Sequence, residues 1–372
     1  LFMKRIFICS LKYSPGLEKE FTLLGREFKN KNFNVTFLIS KFFDLSYLRN
    51  FPIFRLTNGN SKLRIIFEFL LPAKLFLFII KNEINNKYAN SIYLIYNCHP
   101  VNVPLLLFVK YFCSSKTAVV LHEPCKTLSE LKNYGFLGFF YYGISNIIQF
   151  LNIYISDQLI TVSPNGTKIL RKNFKKHLKK NIEANILLED KLENVKSSER
   201  KYLTFVGNIN EDKNPNEIIR YVNASINGLV RPIQFCIITR SPIKRYIDLL
   251  EEGWEDYLLI IKKNNLNEMH IKSAILKSKA ILILHKTSSQ SGVLPLAYSY
   301  RTPVIARRIE AFSQFIDNEE LLLPYDFDNN ALSSAARYLD QNFENCSENA
   351  YLIFKKLFSI RNFEKYYKNL ID

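Results

Sequence analysis

The chain has 372 residues, with 51 Lys and Arg against 34 Asp and Glu, and 48% of its residues are apolar. This is a length for two packed domains, and the apolar content excludes a disordered chain, while only 11 Gly and 13 Pro exclude collagen-like or linker-rich architectures. The charge is uneven: residues 1–200 carry 29 Lys and Arg and 14 Asp and Glu, residues 201–372 carry 22 and 20, so the first half is the one that meets an anionic partner.

Six cysteines (positions 9, 98, 113, 125, 236 and 346) form no CxxC pair and read as reduced, buried thiols rather than a disulfide framework or a zinc site. The opening LFMKRIFICSLK runs straight into strand-like residues, and no cleavable leader is expected. Ile6–Ser10 predicts a strand, followed by a Pro15-Gly16 turn and a helix from about Glu18 to Lys31. Val35–Ile39, Ile92–Tyr96, Ala118–Leu121 and Leu159–Val162 are further short apolar strands. Continuous apolar strands separated by helices indicate a parallel sheet covered on both faces.

Residues 133–156 hold no charge for 24 positions, long enough for a bilayer. However, Tyr142, Ser145, Asn146, Gln149, Asn152 and Ser156 recur at helical spacing as one polar stripe. The stripe predicts a helix largely buried in protein, with one edge toward a membrane surface. The run 63–80 is interrupted by Arg64, Glu68, Pro72 and Lys74 and does not span, so the chain is expected to be soluble or peripheral.

The charged stretch 189–201 is the best linker, after which strands recur at Leu203–Val206, Ile233–Ile238, Ala280–Leu284, Val304–Ala306 and Leu321–Leu323. The expected architecture is α/β: two doubly wound, Rossmann-like parallel-sheet domains, residues 1–188 and 202–355, with a helix at 356–372 returning to the first. In such sheets ligands lie beyond the carboxyl ends of the strands, which directs attention to the loops there.

His122 stands at such a strand end, followed by Glu123, where a side chain of ordinary pKa about 6.5 can exchange a proton. Strand-end histidines also cap loops. His99 ends the preceding strand in the same way. In the second half, Gly207 and Asn208 lead through an acidic loop to Lys213 at a helix start, a setting for an anion or an ordinary strand-to-helix turn. Between Leu284 and the strand at Val304, Ser288, Ser289, Gln290, Ser291, Gly292 and Val293 open a helix with small residues, suited to a diphosphate. The segment is neither a Walker loop nor GxGxxG.

Taken together, VGNINEDKN, the Ser/Gly loop with its helix and PVIA resemble the second domain of group-1 (family 4) glycosyltransferases of the GT-B fold. The Pro15-Gly16 turn, LHEP, and the run from Asp157 to Ser163 resemble that family's first-domain landmarks. FSIRNFEKYYKNLI resembles the helix that crosses back. The resemblance spans nearly the whole chain and is specific as an ensemble.

It implies retaining, metal-independent transfer of a sugar from a nucleoside-diphosphate donor, with no cofactor beyond that co-substrate. His122 matches the family's active-site histidine and Gly16 its glycine loop, although Leu17 stands where a second Gly is common. Lys213 and residues 289–293 would hold the diphosphate. Two positions where the family usually carries glutamates are Ser288 and Leu296. Asn208 replaces a common Arg, whose charge Arg240 or Lys286 would then supply. An inverting route would instead use His122 or Glu123 as general base.

The SQSGVLPLAY form resembles transferases of bacterial surface polysaccharides: O-antigen (lipopolysaccharide), capsule or exopolysaccharide. It implies a polyprenyl-diphosphate-linked acceptor, with His99 and Ser163 as candidate contacts, and other assembly enzymes as partners. A cytoplasmic protein peripheral on the inner face of the membrane is expected, its basic run Lys168–Lys180 meeting anionic headgroups. Three other readings stay open. One is an inactive GT-B scaffold beside an active transferase; another is a nucleotide-sugar epimerase. The third is a nucleic-acid binder, disfavoured because the aromatics follow a core pattern and are not interleaved with the basic clusters.

Overall fold

The structure is a computed structural model. It describes residues 4–11, 17–55, 78–81, 91–96, 99–113, 115–122, 135–175, 181–190, 199–209, 212–264, 266–288 and 290–371. The chain divides into two compact units, Leu1–Leu187 with Asn362–Asp372, and Leu188–Arg361.

The first unit is built on β1 (Arg5–Ser10), β2 (Asn34–Ile39), β3 (Ile53–Arg55), β4 (Ile92–Tyr96), β5 (Lys116–Leu121), β6 (Gln158–Thr161) and β7 (Asn181–Glu183). All pairings are parallel, in the order β3-β2-β1-β4-β5-β6-β7. Every residue of β1 and of β4 is buried, as a sheet covered on both faces requires. Around it lie α1 (Leu17–Asn30), α2 (Asn102–Phe112), α3 (Gly135–Ile155) and α4 (Pro164–Asn173). On α1, Gly25 faces the sheet so closely that a β-carbon there would stand 2.9 Å from the Phe37 ring. A helix-weakening glycine is tolerated because it lets α1 seat on β2.

The second unit repeats the plan with β8 (Tyr202–Val206), β9 (Phe235–Thr239), β10 (Leu258–Lys262), β11 (Ser278–Ile283), β12 (Val304–Arg307) and β13 (Leu322–Leu323). Their order is β10-β9-β8-β11-β12-β13, again parallel. The helices are α5 (Asn216–Ile226), α6 (Lys244–Ile247), α7 (Glu268–Leu276), α8 (Val293–Ser299), α9 (Glu310–Ser313) and α10 (Asn329–Ile353). Arg200, inside the charged stretch 189–201, is only 4% exposed. Its guanidinium donates to Ser278 O (3.0 Å), Thr302 Oγ1 (2.6 Å) and Tyr300 O (3.0 Å), tying the start of β8 to β11 and the turn before β12.

The last helix, α11 (Phe363–Ile371), belongs to the first unit. Its Phe363 and Tyr367 rings pack edge-on against Phe28 of α1 at 4.9 and 5.8 Å, and Asn185 Nδ2 donates to Tyr366 Oη at 2.9 Å.

Strands β3, β7 and β10 were not anticipated. All three are edge strands; β3 (IFR) and β7 (NIE) are three residues long, too short to show a continuous apolar run, whereas β10 (LLIIK) does carry one. The expected strand from Ile233 begins at Phe235, two residues later. The greater correction concerns α3. Its polar stripe turns toward the protein, with Asn152 only 1% exposed and Ser156 buried, while its apolar side is exposed. The helix is therefore not largely buried, and its amphipathicity is reversed relative to an ordinary surface helix.

Candidate functional site

In both sheets the chain reverses direction beside the first strand, between β1 and β4 and between β8 and β11. Such a switch point opens a crevice at the carboxyl ends of the strands. In the second unit the loops after β8 and β11 meet there. Gly207 leaves β8 with φ +126°, a conformation natural to glycine, and its N–H donates to Ile238 O at 3.0 Å. The Lys213 Nζ fills the space over this glycine, 3.1 Å from where a β-carbon would be. Burial lowers the Lys213 pKa, and the neighbouring Asp212 charge opposes that shift.

Asp212 fastens the two loops. Its carbonyl accepts from Lys286 N at 2.7 Å, and its Oδ1 accepts from Thr287 N (3.0 Å) and Thr287 Oγ1 (2.7 Å). Between them sits His285, its ring edge-on to Phe312 at 5.6 Å. Burial first, then the Lys213 charge, lowers its pKa to about 4, against the pull of Asp212. Near neutral pH the crevice thus holds a partly desolvated ammonium beside an uncharged imidazole, an arrangement that favours an anion brought in to neutralise Lys213. Neither Asp212 nor His285 stood out in the sequence, where 75 residues separate Asp212 from Thr287.

The remaining second-unit candidates are placed as follows. Ser288 Oγ donates to Gln290 O at 2.6 Å and accepts from Gln290 N at 3.2 Å, which curls the loop; Ser291 Oγ accepts from Val293 N at 3.3 Å. Gly292 is exposed at the start of α8, with open space around it. Leu296 packs against the core of the unit. Asn208 and Lys286 are exposed. The guanidinium of Arg240 donates to the Leu266 carbonyl. Ser289, Gly16 and Glu123 lie outside the described residues.

In the first unit His122 follows β5, its ring 5.6 Å from that of Tyr96 at the end of β4. Burial lowers its pKa to about 4, so the imidazole is neutral near pH 7. The Tyr96 hydroxyl donates to Glu20 Oε1 at 3.1 Å and is also hydrogen-bonded with Tyr367. Burial raises Glu20 to about 7, with the Tyr96 bond pulling the other way. His99 and Ser163 are buried and shape turns: His99 Nδ1 accepts from Val101 N (3.2 Å), and Ser163 Oγ accepts from Gly166 N (3.0 Å) at the start of α4.

No protein-family model matches the sequence, and no curated protein matches it either. Solved structures do. The chain superposes on a glycosyltransferase from Rickettsia africae with TM-score 0.73 at 15% identity, covering 99% of both chains. Sucrose-phosphate synthase from Thermosynechococcus elongatus gives 0.72 at 14%, again over 99% of both. HepE of Anabaena in complex with UDP gives 0.67 at 11%, over 99% of both. The fold is GT-B. At these identities a GT-B chain is similar to its neighbours in architecture, and its site rests on the chemistry of its own residues.

Proposed function

We propose that this chain is a glycosyltransferase that takes a sugar from a nucleoside-diphosphate sugar. The acceptor is a polyprenyl-diphosphate-linked glycan of O-antigen, capsule or exopolysaccharide assembly, met at the cytoplasmic face of the membrane. The observation that carries the donor half is Lys213 poised over Gly207 at the switch point, with the His285 loop fastened to it by Asp212. A departing diphosphate gains negative charge as the glycosidic bond breaks, and a preorganised, partly buried ammonium is what lowers that barrier. The UDP bound by HepE, a structure of the same fold, supports a nucleotide in this role.

His122, neutral near pH 7, offers a hydrogen bond to the sugar rather than a positive charge. The reaction proceeds with retention and without a metal ion: an oxygen of the leaving diphosphate takes the acceptor proton. The excess of basic residues in positions 1–200 supports an anionic, lipid-bound acceptor.

The test is a melting-temperature panel with UDP, GDP, ADP, CMP and TDP on the native chain and on Lys213→Ala. A nucleotide at 100 times its Kd stabilises the fold by about 2.7 kcal/mol. One nucleotide that stabilises the native chain and not the variant establishes the donor class; no response from any of them overturns the reading. Ser288 and the core-packed Leu296, in place of the family's glutamates, favour one second reading, a GT-B scaffold that binds nucleotide without transfer. Nucleotide binding with no turnover of any donor would select it.

A further inference from the structure

A helix on a protein surface ordinarily turns its polar side to water, and α3 does the reverse. Phe140, Ile144, Ile147, Leu151 and Tyr154 are exposed, Ile147 by 62%. At 100° per residue these five fall within about 80° of one another, one continuous apolar stripe. The opposite side faces the protein, through Ile153 in the core and the polar Asn152 and Ser156. The stripe continues onto α2. Lys110 Nζ donates to Ile155 O at 2.8 Å, which brings the end of α2 beside the end of α3, and the neighbouring Tyr111 and Phe112 are 71% and 78% exposed. Basic residues border it. The Phe150 ring lies 5.8 Å from Phe174, just past α4, whose final turn exposes Arg171 and Lys172, with Lys175 exposed next.

We infer that the apolar stripe of α3, with Tyr111 and Phe112 and the basic end of α4, is the face by which the first unit lies in an anionic lipid surface. Among the described residues no helix is long and apolar enough to cross a membrane, so the contact is in-plane. Apolar and aromatic side chains on one face with Lys and Arg at its border match a headgroup layer over hydrocarbon, and the charge at the rim selects anionic lipid. A water-facing helix gains nothing from turning Asn152 inward and Ile147 outward. This surface deepens the lipid-linked acceptor reading, but its test needs neither donor nor turnover.

The experiment is co-sedimentation with vesicles of mixed phosphatidylglycerol and phosphatidylcholine, against phosphatidylcholine alone. The native chain is expected to bind the anionic vesicles. Ile144→Asp with Ile147→Asp should weaken that binding by about tenfold or more. Arg171→Gln with Lys172→Gln should weaken it less and reduce its salt sensitivity. Undiminished binding by the Asp pair overturns the inference. So does a native chain that ignores vesicles but forms dimers that the Asp pair dissociates, which would give the face to a second copy. Ile147→Trp supplies a readout that leaves the face apolar: its emission should shift to the blue and be quenched by brominated lipid, and an indole that stays in water overturns the assignment. An unchanged UDP response in the Asp pair separates this result from the donor site.

Discussion

The Lys213 ammonium occupies the space that a side chain on Gly207 would need, with Nζ 3.1 Å from the position of a β-carbon. Gly207 also adopts φ +126°. Gly207→Ala is therefore expected to do two things at once: strain the backbone, at about 1–3 kcal/mol, and push the lysine out of the crevice. The nucleotide-induced rise in melting temperature should shrink as it does in Lys213→Ala, although the lysine is still present. An unchanged rise would show that the ammonium does not act from this position.

Asp212 acts through others. It accepts three hydrogen bonds from Lys286 and Thr287, two of them with its side chain, and holds the loop that carries His285. Asp212→Ala should loosen that loop and weaken nucleotide binding by about tenfold, roughly the loss of two net hydrogen bonds. The melting temperature without ligand should change little, because the bonds are exposed. Calorimetric titration with the nucleotide found in the panel measures this directly.

In the first unit two buried groups respond oppositely to pH. Glu20, raised to about 7, holds a proton in the folded state that the unfolded chain gives up near 4.5. Its contribution is present below 4.5 and is lost as pH rises through about 7. His122, lowered to about 4, contributes above its unfolded value of 6.5 and is lost as pH falls through about 4. The two slopes offset each other across pH 4.5–6.5. Glu20→Gln should raise the melting temperature more at pH 8 than at pH 5, and it should expose the histidine slope. A melting profile of the variant parallel to that of the native chain would refute this.

Much of the fold is legible in the residues because its central strands are unbroken apolar runs: Ile92–Tyr96 needed no adjustment at either end. Two edge strands, β3 and β7, were not, since each spans three residues and NIE has one buried position to announce it, whereas β13, also at an edge, is expected at Leu321–Leu323. Of the site, Gly207 and Lys213 are visible as a strand end and a helix start. Asp212 and His285 are not, because their meaning depends on a register between β8 and β11 that only the folded sheet supplies. The polarity of α3 was visible as a stripe, but not which side of it would face out. Periodicity gives the angle between two faces and leaves open which one meets the protein.

Arg200 is a buried charge in the second unit. Its Nη atoms serve two carbonyls and the Thr302 hydroxyl, and burial lowers its pKa to about 10. Arg200→Ala leaves those acceptors without donors and is expected to cost about 2–4 kcal/mol. Denaturant unfolding should show the loss in the second unit's transition. An Ala variant as stable as the native chain would mean that water replaces the guanidinium without cost.

The first unit takes α11 from beyond the second unit in chain order: Phe363 and Tyr367 close over Phe28, yet they follow residues 188–361. A ribosome therefore finishes the whole second unit before it delivers the piece that completes the first. During synthesis the continuous unit, made later, can fold as soon as it emerges. The earlier one waits with Phe28 uncovered until residues 363–371 have been made.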